Sequence, residues 1–242
     1  KPPELKLKKS ELTVKDGSRV SIGYSILPSG AKAVPVWASQ DESIATVDSR
    51  GRVTGIYPGE TVITATMPSG AVSEVKVTVT PINVSSVSIS PSSVSMTIGS
   101  SRSVKASVSP SNATWKNVEW SSADESILTV SPEGMLTAVG IGKTKLTAAS
   151  VNGKSRTISV TVKPVYVKKI VPQNSTVELI KGMEGFESAQ LMYAVEPENA
   201  TIKEVTWSSS NKKIVTVDEN GVITAVKNGT ATITCKAADG SG

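Results

Sequence analysis

The sequence contains no histidine, one cysteine (Cys235) and one phenylalanine, and aromatics make up only 4% of it. Without histidine, the commonest neutral-pH general base is missing. With a single cysteine, neither a disulfide framework nor a zinc cluster can form within the chain. No run reaches the roughly 18 consecutive apolar residues of a membrane-spanning helix. No amphipathic helical period persists beyond about two turns. No signal peptide is visible, and the opening Lys1-Pro2-Pro3 reads as a mature or trimmed fragment.

Valine, serine and threonine are plentiful. Val and Thr are stiff at χ1 and fit a pleated sheet better than a helix, so an all-β protein is expected. The formal net charge is +5, spread thinly. Residues 1–81 carry 10 basic and 8 acidic side chains, residues 82–164 carry 8 and 4, and residues 165–242 carry 8 and 9. Lys and Arg alternate with Ser and Thr along predicted strands, so they read as a solvated outer face. A nucleic-acid binder would concentrate them with interleaved aromatics, and no nucleic-acid partner is expected.

The dominant signal is an internal repeat. Trp37, Trp120 and Trp207 head three similar segments. Ten residues after each stands a valine (Val47, Val130, Val217), fourteen after each a glycine (Gly51, Gly134, Gly221), and twenty-two after each another glycine (Gly59, Gly142, Gly229). Upstream, Pro28, Pro110 and Pro197 match, as do Gly17, Gly99 and Gly182, and the third copy is four residues longer between these two landmarks. That insertion, around Met183-Glu184-Gly185-Phe186, predicts a loop difference or a longer hairpin. Successive tryptophans lie 83 and 87 residues apart, too far for a solenoid and right for independent sandwich domains. The boundaries expected are 1–81, 82–164 and 165–242.

Alternation assigns faces within each copy. Leu128 and Val130, Leu136 and Ala138, and Leu146 and Ala148 should point inward, as should their counterparts in the other copies. Val75, Val77 and Val79, and then Ile158, Val160 and Val162, form a closing strand that ends at Pro81 or Pro164, since proline cannot extend a central ladder. The third copy stops at Gly242 with nothing corresponding to that strand. An open sheet edge and the least stable of the three units are therefore expected. The glycines at 51, 134 and 221 should supply the positive φ of a tight hairpin.

Trp37, Trp120 and Trp207 are expected as structural core residues of three immunoglobulin-like β-sandwiches. Trp115 occurs only in the second copy, in a predicted loop; it is a candidate ligand contact if exposed and otherwise packs on its own domain. Cys235 takes the inward slot of Ala65 and Ala148, so a buried free thiol is expected.

These residues resemble a known family, the bacterial Ig-like domain group 2. The motif reads Trp120-Ser121-Ser122, Leu128-Thr129-Val130, Gly134, Leu136-Thr137-Ala138, Gly142, Leu146-Thr147-Ala148; copies one and three match comparably, with Gly55 replacing the alanine in the first. The resemblance covers nearly the whole chain. It implies surface proteins, adhesins of the intimin and invasin kind, and accessory modules of secreted enzymes and phage tails. It carries no universal active site to transfer.

No catalytic residue, cofactor site or metal site emerges. The pairs Asp41-Glu42 and Asp124-Glu125 share one repeat slot, where the third copy has Asn211-Lys212, so a repeated surface turn explains them better than paired acid–base groups. They also lack the dense oxygen spacing of a calcium loop. Gly142-Lys143-Thr144 resembles the tail of a phosphate-binding loop, but Thr137 stands where that motif needs glycine.

The linkers, Pro81–Ser86 and Pro164–Lys168, are short, proline-bearing and free of glycine, and so stiffer than flexible coil. Three modules of roughly 20 Å of sheet plus loops predict an elongated arm on the order of 100 Å. The expected function is a non-catalytic spacer or adhesion arm, extracellular or on a bacterial cell surface. The chain would be monomeric and would face a host or bacterial surface protein or a glycan. The alternative is a carbohydrate-binding accessory module of a secreted glycan-degrading enzyme.

Overall fold

The structure, a computed structural model, describes residues 2–241. All regular secondary structure among them is β-strand. Every strand pairs within its own copy of the repeat. The fold is therefore three tandem immunoglobulin-like β-units, as alternation and turn spacing predict.

In the first copy, Glu11–Lys15, Val72–Thr80, Gly59–Thr66 and Val36–Ser39 form a four-stranded sheet in that spatial order. Arg19–Ser21, Arg52–Gly55 and Ala45–Val47 form a three-stranded sheet, and Glu4–Leu7 pairs with Tyr24–Leu27. The second copy repeats this plan. Its four-stranded sheet is Ser93–Thr97, Ser155–Lys163, Gly142–Ser150 and Val118–Ser122. Its smaller sheets are Ser101–Ser103 with Met135–Ala138 and Leu128–Val130, and Ser86–Ser90 with Lys105–Ser109.

Alternation places the cores. In the first copy Val14, Val53, Ile63, Ala65, Val75, Val77 and Val79 are all but sealed from solvent. Leu128, Leu136, Leu146, Ala148, Val160 and Val162 do the same in the second. The intervening positions, such as Thr78, Lys145 and Ser159, face outward. At roughly 1.5–3 kcal/mol per fully buried aliphatic side chain, these alternate rows are the main stabilising term of each unit.

The closing strands take a role that local patterning does not show. Each lies between two partners, antiparallel to its hairpin neighbour and parallel to the second strand of the unit: Glu11–Lys15 runs alongside Lys76–Thr80, and Ser93–Thr97 alongside Ser159–Lys163. The closing strand therefore ties the end of a module back to its second strand.

In the third copy no closing strand is present among the described residues, and the loss of strand pairing is confined to one sheet. Ser188–Gln190, Val222–Ala225 and Val215–Val217 still form the three-stranded sheet, and Lys169–Pro172 still pairs with Tyr193–Glu196. The four-stranded sheet contracts to Val205–Ser209 with Ile233–Ala237. Residues 176–180, in register with Glu11–Lys15, keep the alternation of Val177 and Leu179 but form no strand, because no ladder partner adjoins them. Beyond Lys163 only Val167, Ala200 and Ile223 are buried apolar side chains among the described residues. The four-residue insertion folds as a turn: the Ile180 N–H donates to the Phe186 carbonyl, and Met183 and Phe186 project into solvent.

The third unit should therefore unfold first. Hydrogen exchange read by mass spectrometry is expected to show residues 165–242 exchanging at lower temperature than the rest. Gly242 aligns with Ser155, so appending the sequence of Arg156–Lys163 after it should raise the melting temperature of that unit on the order of 10 °C, because one isoleucine and two valines brought into register restore several kcal/mol.

Candidate functional site

Trp37, Trp120 and Trp207 occupy one place in three sheets, paired across the ladder with Ala65, Ala148 and Cys235. A small residue is needed there because the neighbouring strand passes directly beside the indole. Each ring lies over the hairpin glycine fourteen residues on. A Cβ on Gly51 would sit 2.9 Å from Trp37 Cζ2, and one on Gly221 would sit 2.8 Å from Trp207 Cε2. At Gly134 it would sit 3.3 Å from Trp120 and 2.7 Å from the Val104 carbonyl oxygen. All three glycines have φ between 72° and 83°. Two constraints thus meet at one residue: a left-handed backbone and contact with an indole face.

The burial of the rings is unequal. Trp37 is buried, whereas Trp120 and Trp207 are half-buried. Tyr24 meets Trp37 edge-on at 5.3 Å between centroids, and Tyr193 meets Trp207 at 5.7 Å.

The acidic residues singled out in the sequence are turn fasteners. Asp41 Oδ1 accepts from the Ser43 N–H at 2.9 Å and Asp124 Oδ1 from the Ser126 N–H at 3.0 Å, while Asn211 Oδ1 accepts from the Lys213 N–H at 3.1 Å. Glu42 and Glu125 are exposed. A second fastener, not foreseen from the sequence, precedes each hairpin glycine. Asp48 Oδ1 accepts from the N–H groups of Arg50 and Arg52 at 2.9 and 3.0 Å, and Asp218 Oδ1 from those of Asn220 and Val222 at 2.9 and 2.8 Å. Ser131 Oγ takes the same place in the second copy. The donated Arg52 N–H, helped by the Arg52 guanidinium and the Arg50 N–H, holds the Asp48 carboxyl at about 2. The Ser43 hydroxyl and N–H hold Asp41 below its ordinary range.

Trp115 is 38% exposed, on the loop before Val118–Ser122. Lys116 and Asn117, the next two residues, line an open trough with Trp120 and Glu133. Cys235 is half-buried rather than sealed like Ala65 and Ala148, because its strand has Val205–Ser209 on one side and no closing strand on the other; burial still pushes its thiol up. Gly142-Lys143-Thr144 begins a regular strand, not a phosphate loop. Among the described residues, no group of three or more His, Cys, Asp or Glu side chains could hold a metal ion.

The junctions are the most organised polar features of the chain. At the first, the Asp16 N–H donates to the carbonyl of Thr80, immediately before Pro81. Immediately after Pro81, the Ile82 N–H donates to Thr114 Oγ1 at 2.8 Å and the Ile82 carbonyl accepts from the Thr114 N–H at 2.9 Å. Thr114 Oγ1 in turn donates to Asp16 Oδ2 at 2.8 Å, closing a circuit across the two units. The second junction repeats the grips. The Ile98 N–H holds the Lys163 carbonyl, and Thr201 holds both backbone groups of Val165. Ile98 replaces Asp16 there, so that side chain offers no acceptor across the boundary.

Residues 3–79, 83–162 and 159–242 match the bacterial Ig-like domain (group 2) family. The chain belongs to that family. Among similar proteins, Ice-binding protein 1 of Shewanella frigidimarina is 31% identical over 203 residues, which cover 82% of this chain and 22% of that protein. The Ig-like virion protein of Serratia phage KSP90 is 32% identical, covering 66% of this chain and 62% of its own length. Lacto-N-biosidase of Bifidobacterium bifidum is 36% identical over 69 residues, covering 28% of this chain and 6% of the enzyme. The chain thus spans less than two thirds of each of these relatives. Among solved structures, mouse cadherin-23 EC22-24 aligns over 98% of this chain and 94% of its own at a TM-score of 0.41 and 13% identity. The S-layer protein SbsC domains 4 and 5 align over 67% and 98% at 0.33 and 17%. Scores and identities this low say nothing of function.

Two measurements check the turn chemistry. Gly153→Ala meets open space and carries only a positive-φ penalty of about 1 kcal/mol, whereas Gly134→Ala adds a backbone clash and an indole clash and should cost about 3 kcal/mol in denaturant unfolding. The Asp48 carboxyl is depressed in the folded state, so its contribution is complete above the ordinary value of 3.8 and is lost as pH falls towards about 2. A carboxyl NMR titration should place its midpoint near the lower figure.

Proposed function

We propose that this chain is a non-catalytic, semi-rigid spacer segment of an extracellular or bacterial cell-surface protein, holding whatever it carries away from its point of attachment. The observation that carries this reading is the way each linker is gripped on both sides of a single proline. Thr80 and Ile82 are fixed around Pro81, and Lys163 and Val165 around Pro164. Proline already restricts φ, so few torsions remain free at either boundary. Family membership supports the reading, as does similarity to a virion protein and an ice-binding protein that are built from related sequence. Asp41, Asp48 and Asp124 each accept from backbone N–H groups of their own turns, which supports reading them as structural and not as acid–base groups.

A second reading, a carbohydrate-binding accessory module, draws on the exposure of Trp115 and the short match to a glycosidase. Specific glycan-array binding abolished by Trp115→Ala would favour it over the spacer.

Small-angle scattering of the 242-residue chain should give an extended profile with a maximum dimension on the order of 100 Å, from three end-to-end modules of roughly 20 Å of sheet plus loops. A compact globule overturns the arm. Thr114→Val, which removes the hydroxyl from the first circuit at nearly constant volume, should broaden the spin-label distance distribution across residues 74 and 156, and an unchanged width would count against gripped linkers.

A further inference from the structure

The three indoles differ in what lies against them, and the difference leaves a vacant ring site. Tyr24 and Tyr193 each sit edge-on to the tryptophan of their own unit. The strand ladders fix the corresponding position in the second unit: Leu7 pairs with Tyr24, Pro172 with Tyr193, and Ile89 with Ala106. Alanine therefore stands where the other units place a phenol ring. Among the described residues no ring packs on Trp120, and a trough of about 490 Å³ opens there. Ala106 and Trp120 line it on the apolar side, with Lys105, Lys116, Asn117 and Glu133 around its polar edge.

We propose that this trough is a binding site for a phenolic ring, taking an exposed tyrosine side chain of a protein partner edge-on to Trp120, as Tyr24 and Tyr193 sit in the neighbouring units. Two features argue for a phenol. The same backbone frame holds a tyrosine ring in both sister units, at centroid distances of 5.3 and 5.7 Å, which is the spacing of a favourable edge-to-face pair. The polar edge also suits a hydroxyl: the Tyr193 OH reaches the Lys203 carbonyl at 3.5 Å, and the trough has Lys116 and Asn117 on the loop that corresponds to Lys203-Glu204. Charged and amide groups at the rim, with an indole and a methyl at the base, match a ring with one polar end. This proposal is independent of the spacer reading; a spacer with or without it remains a spacer.

The test is a titration of the 242-residue chain with N-acetyl-tyrosinamide and, separately, p-cresol, read on the indole N–H signals in nitrogen-edited NMR spectra. The Trp120 signal should shift and saturate in the millimolar range, while those of Trp37 and Trp207, whose ring sites are occupied, should stay in place. Ala106→Tyr should abolish the shift by filling the trough from within. Because that variant could repack the unit, Lys105→Ala and Glu133→Gln at the rim serve as folded controls and should weaken tyrosinamide binding about two- to fivefold. A Trp120 signal unmoved up to the solubility limit of p-cresol, equal shifts at Trp37, Trp120 and Trp207, or stronger perturbation by galactose or glucose than by tyrosinamide would each overturn the proposal, the last in favour of a glycan ligand.

Discussion

The contact of an indole face with a hairpin glycine is the constraint on which each unit depends. The glycine must be left-handed for the chain to reverse between Ala45–Val47 and Arg52–Gly55, and it must lack a side chain because Trp37 lies over it. Neither demand alone would tie two distant segments together. Jointly they fix the tryptophan strand against the turn of the smaller sheet and so set how the two sheets meet. The fasteners at Asp48, Ser131 and Asp218 belong to the same device, since they satisfy the N–H groups that the reversal would otherwise leave unpaired. A second close contact repeats the logic nearby: Gly59, Gly142 and Gly229 lie under Ile44, Ile127 and Ile214. The glycines that follow each tryptophan at fixed spacing are thus sites where another side chain needs the room, whereas Gly17, Gly99 and Gly182 face open space.

This explains why so much of the architecture was legible in the sequence. Tryptophan, turn glycine and second glycine recur at constant spacing because their contacts are steric and tolerate no change of length. The inward rows, such as Leu146 with Ala148 and Ile158 with Val160, arise from the period of two along a strand. The same rule placed Cys235 in the right slot, opposite Trp207. It could not say how deeply that slot is covered, because coverage comes from the strand beyond, and alternation along one strand carries no information about its neighbours.

What remained illegible is long-range. The parallel pairing of second and closing strands joins residues about 65 positions apart and leaves no local mark. Asp16 and Thr114 are 98 residues apart, and each looks like an ordinary polar residue at a loop end. Trp115 and Trp120 were both visible, yet their environments depend on what the rest of the unit offers. Trp120 has no ring against it because position 106 is alanine, and that consequence becomes apparent only once the register with Tyr24 and Tyr193 is known.

The repeat therefore acts as its own control. Where all three copies agree, as in the indole and the turn, the agreement marks what the fold requires. Where a single side chain departs, as at positions 98 and 106, the backbone pairing around it is kept, so the altered side chain is the variable that matters. Ile98 in place of Asp16 removes an acceptor from the second boundary while the Ile98 N–H still holds Lys163 as the Asp16 N–H holds Thr80. Ala106 in place of tyrosine uncovers one indole while its strand still pairs in register. A repeated fold supplies the same frame several times over, and such single-residue departures are where otherwise similar modules come to differ.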